Sequence, residues 1–337
     1  MSYENCLERA QTQLGSSQSY PAVITSGYEG QSGFMTNDST INPVFWDFTK
    51  VYFKYCDGGS FAGNYSKPIP VDGPNGTENI WFRGHQNLEA GLTELYTNLG
   101  MNEASELVLG GCSAGGLAVS AHCEEFGEWA KAHAKADAKV RCMSDAGYFP
   151  DLANVNGVHA LAYFYNWVFM AQNASWGVNQ ACLASKSPDD QWRCFFPQEV
   201  VPHLTIPVFY LNSGYDSWQM KAILAANNPP PRGIVPGWEN CISNFSTCNS
   251  TQMQMIQSYH FQYLDIFEPI LATSSPHGAF VTSCLAHCES GAFWAEGATI
   301  DNRTIGEVVA SWYQGNQEKQ VMCPYPCTEP GSSCGIE

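Results

Sequence analysis

The segment Leu107-Val-Leu-Gly-Gly-Cys-Ser113-Ala-Gly-Gly-Leu-Ala118 joins an apolar run to a glycine-rich turn that carries a serine. Within it, Gly111-Cys-Ser-Ala-Gly115 fits the pattern G-x-S-x-G, in which the serine occupies a sharp strand-to-helix turn. We predict the strand at residues 106–110 and the helix at residues 116–129. A serine hydroxyl is a weak nucleophile until a base removes its proton, so the pattern also predicts a histidine and an acid later in the chain.

Strands and helices alternate along the rest of the chain. Apolar runs typical of strands and an apolar helical spacing are both present, and the run at residues 206–211 is continuous enough for a strand covered on both faces. The predicted strands are residues 51–55, 139–144 and 206–211, the predicted helix is residues 84–99, and the predicted loops are residues 64–76 and 228–232. The pattern indicates an α/β fold, α/β-hydrolase-like, with a mostly parallel sheet flanked by helices. No repeat or biased linker divides residues 1–337, so we expect one domain.

Composition narrows the class of protein. The chain has 337 residues, of which 44% are hydrophobic and 14% charged, which is enough apolar material for a packed core. Its formal net charge of −17 argues against nucleic acid and anionic membrane surfaces as partners. No run of about 18 apolar residues occurs, so we expect no transmembrane helix.

Cysteines and glycosylation acceptors predict a secreted, disulfide-rich glycoprotein. The 14 cysteines include several closely spaced pairs, which indicates an oxidising compartment. The Asn-x-Ser/Thr acceptors are Asn37, Asn64, Asn75, Asn173, Asn244, Asn249 and Asn302. Residues 1–20 show neither the basic nor the apolar region of a signal peptide, so we expect that an N-terminal portion is missing from this chain. We expect a monomer.

A metal site is not predicted. Cys284 and Cys288 flank His287 and imitate part of a zinc cluster. Structural zinc sites built from cysteines show a C-x2-C pair with a matching downstream pair, and this chain has no such combination. We therefore expect no metal ion and no other cofactor.

Two aspartates are candidates for the acid. Asp216 follows the apolar run at residues 206–211 within a few positions, which is where this fold carries the acid that orients the histidine. Asp145 lies after the preceding strand and is the alternative. An ordinary helix cap or turn aspartate would explain either position. Position alone favours Asp216.

Three histidines follow Asp216, and the residues alone do not decide among them. His277 lies in an evident loop, where a catalytic histidine is often found. His287 lies between two cysteines that would hold it rigidly once they are disulfide-bonded. His260 falls within a helix-like segment.

A wider set of motifs points to one family. The motifs are Tyr55-Cys-Asp-Gly-Gly-Ser-Phe61, Phe82-Arg-Gly84, Gly111-Cys-Ser-Ala-Gly-Gly-Leu-Ala118, Ser144-Asp-Ala-Gly-Tyr148, Cys194-Phe-Phe-Pro197, Tyr215-Asp-Ser-Trp-Gln219, Ser283-Cys-Leu-Ala-His-Cys288 and Cys323-Pro-Tyr-Pro-Cys327. In these motifs and in their order the chain resembles the plant-type pectin acetylesterases, a group that also includes the Notum-type carboxylesterases.

The resemblance implies a catalytic triad and a reaction. It assigns Ser113 as nucleophile, Asp216 as acid and His287 as base, and so favours His287 over His277. The implied activity is that of a secreted serine esterase that hydrolyses acetyl esters of pectin homogalacturonan, an acetylated polysaccharide, through an acetyl-enzyme. Two alternatives remain: a Notum-like carboxylesterase that acts on lipid-modified protein, and a catalytically impaired extracellular glycoprotein on the same scaffold.

One departure from the family concerns the oxyanion hole. Family members carry a Gly-Gly-Gly-Trp-Cys-like turn just before the segment that Tyr3-Glu-Asn-Cys6 matches, and this chain opens after that point. The Ala114 N–H is expected to donate one hydrogen bond to the oxyanion. The second donor is expected to be missing, or to come from Gly58 or Gly59. Removing one donor typically lowers the rate about 10²–10³-fold, so the resemblance leaves the activity of this chain open.

Overall fold

The centre of the molecule is a five-stranded parallel sheet. The computed structural model describes residues 2–18, 20–21, 32–74, 76–227 and 233–335. Within them the strands are β1 (Ile69–Gly73), β2 (Gly76–Ile80), β3 (Glu106–Cys112), β4 (Lys139–Asp145), β5 (Val208–Ser213), β6 (Gly278–Thr282), β7 (Thr299–Ile300), β8 (Arg303–Thr304) and β9 (Lys319–Val321). The spatial order of the central sheet is β3-β4-β5-β6-β9, and β1-β2 and β7-β8 are separate antiparallel pairs.

Helices connect and cover the strands. They are α1 (Tyr3–Ala10), α2 (Gly84–Asn98), α3 (Ala114–His133), α4 (Ala160–Ala171), α5 (Gln180–Ala184), α6 (Pro197–Val200), α7 (Ser217–Gln219), α8 (Ser250–Leu271) and α9 (Ile305–Tyr313). The longest, α8, begins with a capping box in which Asn249 and Gln252 each satisfy the backbone N–H of the other. Among the described residues, no helix is long and apolar enough to cross a bilayer.

Strand β5 shows why both faces of the sheet must be covered. All of its residues are buried, and successive side chains point to opposite faces. Phe209 packs on Trp312 of α9 at a ring distance of 5.3 Å, whereas Tyr210 packs on Phe267 of α8 at 6.0 Å. The continuous apolar run seen in the sequence is therefore a strand between two helical layers, as predicted. The predicted α/β-hydrolase-like sheet flanked by helices is confirmed.

Two local predictions were wrong. Residues 51–55 form no strand: Phe53 packs on the Phe61 ring and lies against Gly91 of α2 instead of joining a ladder. Residues 64–76 are not simply a loop, because they contain β1, whose Val71 is buried beside Ile80 of β2. An apolar alternation becomes a strand only where a partner strand is available. The predicted loop at residues 228–232 lies outside the described residues.

Disulfides join distant parts of the chain, as the cysteine content predicted. Twelve of the 14 cysteines form six bridges: Cys112–Cys288, Cys123–Cys142, Cys182–Cys194, Cys241–Cys248, Cys284–Cys334 and Cys323–Cys327. Cys284 and Cys288 are both consumed by bridges to other partners. Their sulfurs are therefore not available as zinc thiolates.

Candidate active site

Ser113 occupies a strained turn between β3 and α3. Its φ is 58° and its ψ is −120°, a conformation that a residue with a side chain rarely adopts. Its N–H donates to the Asp145 carbonyl at 2.8 Å. A Cβ on Gly111 would lie 2.5 Å from the Gly115 carbonyl carbon, and a Cβ on Gly116 would lie 2.5 Å from the Asp145 carbonyl oxygen. Gly111 and Gly116 therefore permit the close approach that presents the Ser113 hydroxyl.

The parallel register brings the candidate triad together. Cys112 is opposite Asp145, and Ser213 of β5 is opposite Thr282 of β6, so the carboxyl ends of these strands lie along one edge. Loops that leave this edge carry the functional side chains of α/β proteins.

At that edge the three side chains predicted from the sequence form one hydrogen-bonded chain. His287 Nδ1 is 2.7 Å from Asp216 Oδ2, and His287 Nε2 is 2.8 Å from Ser113 Oγ. A carboxylate accepts from Nδ1–H, so Nε2 accepts from the serine hydroxyl. This arrangement can remove the Ser113 proton and stabilise the imidazolium that results.

The two carboxylate oxygens of Asp216 make different contacts. Oδ2 faces His287, while Oδ1 accepts the N–H groups of Trp218 and Gln219 at 2.9 Å each and so caps α7. The cap fixes the carboxylate plane, and the residue is only 1% exposed. Asp216 therefore makes both the helix-cap contacts and the contact with a histidine that the sequence analysis considered.

Asp145, the alternative candidate acid, holds the loop that carries His287. Its two oxygens accept the N–H groups of Glu289 at 3.0 Å and of Ser290 at 2.8 Å, two residues that lie just after His287 in the chain. Burial raises the pKa of Asp145, and these hydrogen bonds oppose that rise. Asp145 thus positions His287 through the backbone.

The other two histidines lie elsewhere. His277 is 4% exposed at the start of β6, and its Nδ1 accepts the N–H of Val208 at 3.2 Å. Burial lowers the pKa of His277 to about 4, so it is neutral at pH 7. His260 is fully buried on α8 and stacks on Tyr215 at a ring distance of 4.4 Å. Both are packing residues in this structure.

Two features beside the triad were not predicted. The Cys112–Cys288 bridge joins the residue before Ser113 to the residue after His287, across 176 positions. Glu289 is 1% exposed and accepts from the Thr282 hydroxyl at 2.8 Å, and burial raises its pKa to about 8. The signal for the bridge was the placement of one cysteine next to each residue. Nothing in the sequence marked Glu289 as buried.

The predicted oxyanion donors occupy different environments. Ala114 opens α3, where the first N–H groups have no acceptor within the helix. The N–H of Gly59 is used, since it donates to Asp57 Oδ2 at 3.1 Å. We call the Ser113 turn between β3 and α3 the elbow. The turn that contains Gly58 and Gly59 contacts the elbow through Ser60, whose Oγ donates to the Ala114 carbonyl at 2.9 Å.

An aromatic side chain borders His287. Trp218 is 39% exposed, and its ring lies 6.3 Å from the His287 ring with an interplanar angle of 22°. The Phe149 ring packs on the Trp218 ring at a distance of 4.8 Å. The mouth of the site thus offers an accessible flat apolar surface next to the reacting groups.

Comparisons with known proteins identify relatives of this chain. The family model described as pectinacetylesterase matches residues 1–332. Pectin acetylesterase 5 of Arabidopsis thaliana is 33% identical over 328 residues, which are 96% of this chain and 72% of the relative. Pectin acetylesterase 7 of the same plant is 32% identical over 333 residues, which are 97% of this chain and 79% of the relative.

The fold also has a solved relative. The Wnt deacylase Notum from Drosophila superposes with a TM-score of 0.74 at 19% identity, covering 95% of this chain and 83% of that one. At this identity the likeness concerns the fold. With a family model that spans nearly the whole chain, the assignment is plain: the chain belongs to the pectinacetylesterase family and is a carboxylic ester hydrolase.

Proposed function

We propose that this chain hydrolyses acetyl esters of pectin homogalacturonan, with Ser113, His287 and Asp216 as its catalytic triad. The observation that carries the proposal is the unbroken hydrogen-bonded chain from Ser113 Oγ through His287 to the capped Asp216 carboxylate. Its occurrence in a pectinacetylesterase-family chain supports an acetyl ester as substrate.

The proposed reaction has two steps. Ser113 Oγ attacks the acetyl carbonyl while His287 Nε2 takes its proton, and the carbonyl oxygen becomes an oxyanion that accepts from the Ala114 N–H. Collapse expels the sugar hydroxyl, which takes the proton from His287, and leaves an acetyl-enzyme. Water then attacks with His287 again as base, which releases acetate and restores Ser113.

Trp218 supports a carbohydrate substrate. Its exposed ring lies beside His287, where a sugar ring that carries the acetyl group would rest during attack. Flat aromatic surfaces with a polar edge suit ligands that are partly apolar and partly wet. We infer that the polysaccharide chain passes over this ring.

We also propose that the protein is a secreted, monomeric glycoprotein. Six disulfides favour an oxidising compartment. Of the acceptor asparagines that the structure describes, five are exposed and Asn64 is half-buried, and Asn75 lies outside the described residues. Exposed acceptors are accessible to the glycosylation machinery. Glycosidase treatment followed by intact-mass measurement of protein from a secretory host tests this directly.

The test of activity is acetate release from acetylated homogalacturonan. Ser113→Ala should abolish release, and Ser243→Ala, a matched change at an exposed serine, should leave the rate unchanged. The Notum-type fold makes long-chain deacylation the second candidate. A matched pair of p-nitrophenyl acetate and p-nitrophenyl octanoate distinguishes the two. A higher kcat/KM for octanoate would favour the second candidate, and no Ser113-dependent turnover of any ester would refute both.

A further inference from the structure

A second cluster of ionisable side chains lies behind the elbow, between α2 and α3. His122 and Glu125 are three positions apart on α3 and therefore share a face, and His85 reaches them from the first turn of α2. His85 Nε2 is 2.7 Å from Glu125 Oε1, and His122 Nδ1 is 2.9 Å from Glu125 Oε2. The three donor atoms lie within 4.8 Å of one another. The triad does not use any of these groups.

From this cluster we infer a metal site: His85, His122 and Glu125 bind one divalent ion of the zinc class, which fastens α2 to α3. Two imidazoles and one carboxylate are a ligand set typical of zinc and its transition-metal neighbours, whereas calcium and magnesium prefer oxygen ligands. Two further close-set groups of ligand-type side chains exist in the described part of the chain, and both depend on disulfide-bonded sulfurs.

The second shell has the form that a metal site requires. A metal-bound histidine usually donates its other ring N–H to a carbonyl or carboxylate, which fixes the ring. His122 Nε2 already does so, at 3.1 Å from the Ser60 carbonyl oxygen. His85 Nδ1 is buried without a hydrogen bond, and Glu89 Oε2 lies 3.9 Å away. Metal binding on Nε2 would place the His85 proton on Nδ1, where Glu89 can accept it.

Binding requires the three side chains to rearrange. Ligand atoms around a tetrahedral ion with bonds of 2.0–2.1 Å lie about 3.3 Å apart, so each nitrogen must move about half an ångström away from the Glu125 oxygen that it contacts. Donor atoms that now lie up to 4.8 Å apart must approach by up to about 1.5 Å. The imidazoles are buried, while the Glu125 side chain is 40% exposed. The ion would therefore enter from the Glu125 side, where water can complete its coordination.

The ion would replace two hydrogen bonds of the cluster. Histidine nitrogens bind a metal only when they carry no proton, so the bonds from His85 Nε2 and His122 Nδ1 to Glu125 would give way to bonds to the ion. The proton that the ion displaces leaves to solvent.

The site connects to the elbow through the backbone. His122 donates to the Ser60 carbonyl, and the Ser60 hydroxyl donates to the carbonyl of Ala114, the residue after the nucleophile. Ser60 and Phe61 both have positive φ, at 54° and 60°. The ion would therefore stabilise α2, α3 and this strained turn together, and its expected effect is on stability.

Calorimetric titration of the chelator-treated full chain with Zn²⁺ tests the proposal. We expect one ion per chain, a higher Tm in the presence of Zn²⁺, and a visible absorption band when Co²⁺ replaces it. Glu125→Gln and His85→Gln should each weaken Zn²⁺ binding at least roughly tenfold and remove the Tm shift. The matched controls on α3 are Glu128→Gln and His133→Gln, which should bind like the wild type.

Two results would overturn the inference. One is the absence of saturable Zn²⁺ binding to the wild type, which needs no variant. The other is equal binding by the wild type and by either cluster variant. In both cases the cluster would be a hydrogen-bonded pair of histidines around Glu125 and nothing more. The Tm measured without metal shows whether each variant is folded. If only one of Glu125→Gln and His85→Gln folds, that variant is sufficient for the comparison of Zn²⁺ binding with the wild type.

Discussion

The dual role of Asp216 leads to a sharp prediction for Asp216→Asn. In the structure Oδ1 accepts two N–H groups of α7 and Oδ2 faces His287 Nδ1 at 2.7 Å. Only the amide oxygen of asparagine can accept the two cap bonds, so the amide nitrogen must take the Oδ2 position. This nitrogen donates, and His287 must then accept at Nδ1 and carry its proton on Nε2. In that tautomer His287 cannot accept the Ser113 proton.

The expected loss in kcat is about 10⁴-fold, or about 5.5 kcal/mol of transition-state stabilisation. Stability should change by less than about 1 kcal/mol, because the cap is retained. Asp216→Ala, by contrast, loses the cap as well and should also lower the Tm. The assay is kcat and KM on p-nitrophenyl acetate and on acetylated pectin, with the Tm of each variant measured in parallel.

Asp265→Asn, at an exposed position on α8, is the matched control and should behave like the wild type. If Asp216→Asn retained activity within tenfold of the wild type, the assigned tautomer and the role of Asp216 would be wrong. A large fall in Tm with Asp216→Asn would instead contradict the argument that the cap fixes the amide.

Three further predictions follow from the surroundings of the triad. In Asp145→Asn the amide NH2 replaces one carboxylate oxygen, so either the Glu289 or the Ser290 N–H loses its acceptor. The variant should lower stability by about 1–3 kcal/mol. It should also reduce kcat with little change in KM, because the loop that carries His287 is held less firmly. Glu289→Gln should remove a pH dependence of stability. The raised pKa of about 8 means that Glu289 keeps its proton in the folded state at pH values where the unfolded chain has lost it. The contribution of Glu289 to the free energy of unfolding therefore falls as pH rises from about 4.5 to about 8. Relative to the wild type, the variant should therefore gain Tm across that range. Replacing Cys112 and Cys288 together with serine should lower stability by about 2–5 kcal/mol and reduce kcat.

Each of these predictions has a control and a contradicting outcome. For Asp145→Asn, kcat is interpreted only after the Tm has shown that the variant is folded. A wild-type kcat together with wild-type stability would show that other contacts hold the loop of His287. A constant Tm difference between Glu289→Gln and the wild type at pH 5 and pH 8 would contradict the burial argument. For the bridge, the Cys241–Cys248 double serine variant is the control: it spans 7 residues and should reduce kcat much less. Equal effects of the two double variants on kcat would contradict the view that the Cys112–Cys288 bridge holds Ser113 and His287 in position.

The elbow and the acid could be predicted because their signals are local. A strand, a glycine turn and a helix determine the position of Ser113 within a dozen residues, and Asp216 is marked by the apolar strand just before it. Gly115, although part of the pattern, has open space where its Cβ would be. The G-x-S-x-G pattern therefore predicts where the turn lies. The close backbone contacts at Gly111 and Gly116 explain why those two positions are glycine.

The base could not be chosen from the residues alone, because the choice depends on contacts across the chain. His287 and Ser113 are 174 positions apart, and no spacing rule connects them. His277 lies in an evident loop by sequence, yet in the structure it is buried just before β6 and accepts from the Val208 N–H. The family resemblance favours His287, and the structure places its ring between Ser113 and Asp216.

The misassigned strand has the same cause. Residues 51–55 have the composition of a strand, but Phe53 is used for packing against Phe61 and α2. The cluster of His85, His122 and Glu125 was invisible in the sequence for a related reason, since His85 lies on a different helix from the other two. Local patterns specify elements, and the partners of each element are set by the whole fold.

The most direct test of the central claim is to trap the covalent intermediate. The chain is mixed with acetylated homogalacturonan, quenched in acid within one turnover, digested and examined by mass spectrometry. We predict a peptide in which Ser113 carries the mass of one acetyl group. The same mass increase should be absent from the corresponding peptide of Ser113→Ala. Acetate release without any acetyl group on Ser113, or release that persists in Ser113→Ala, would contradict it.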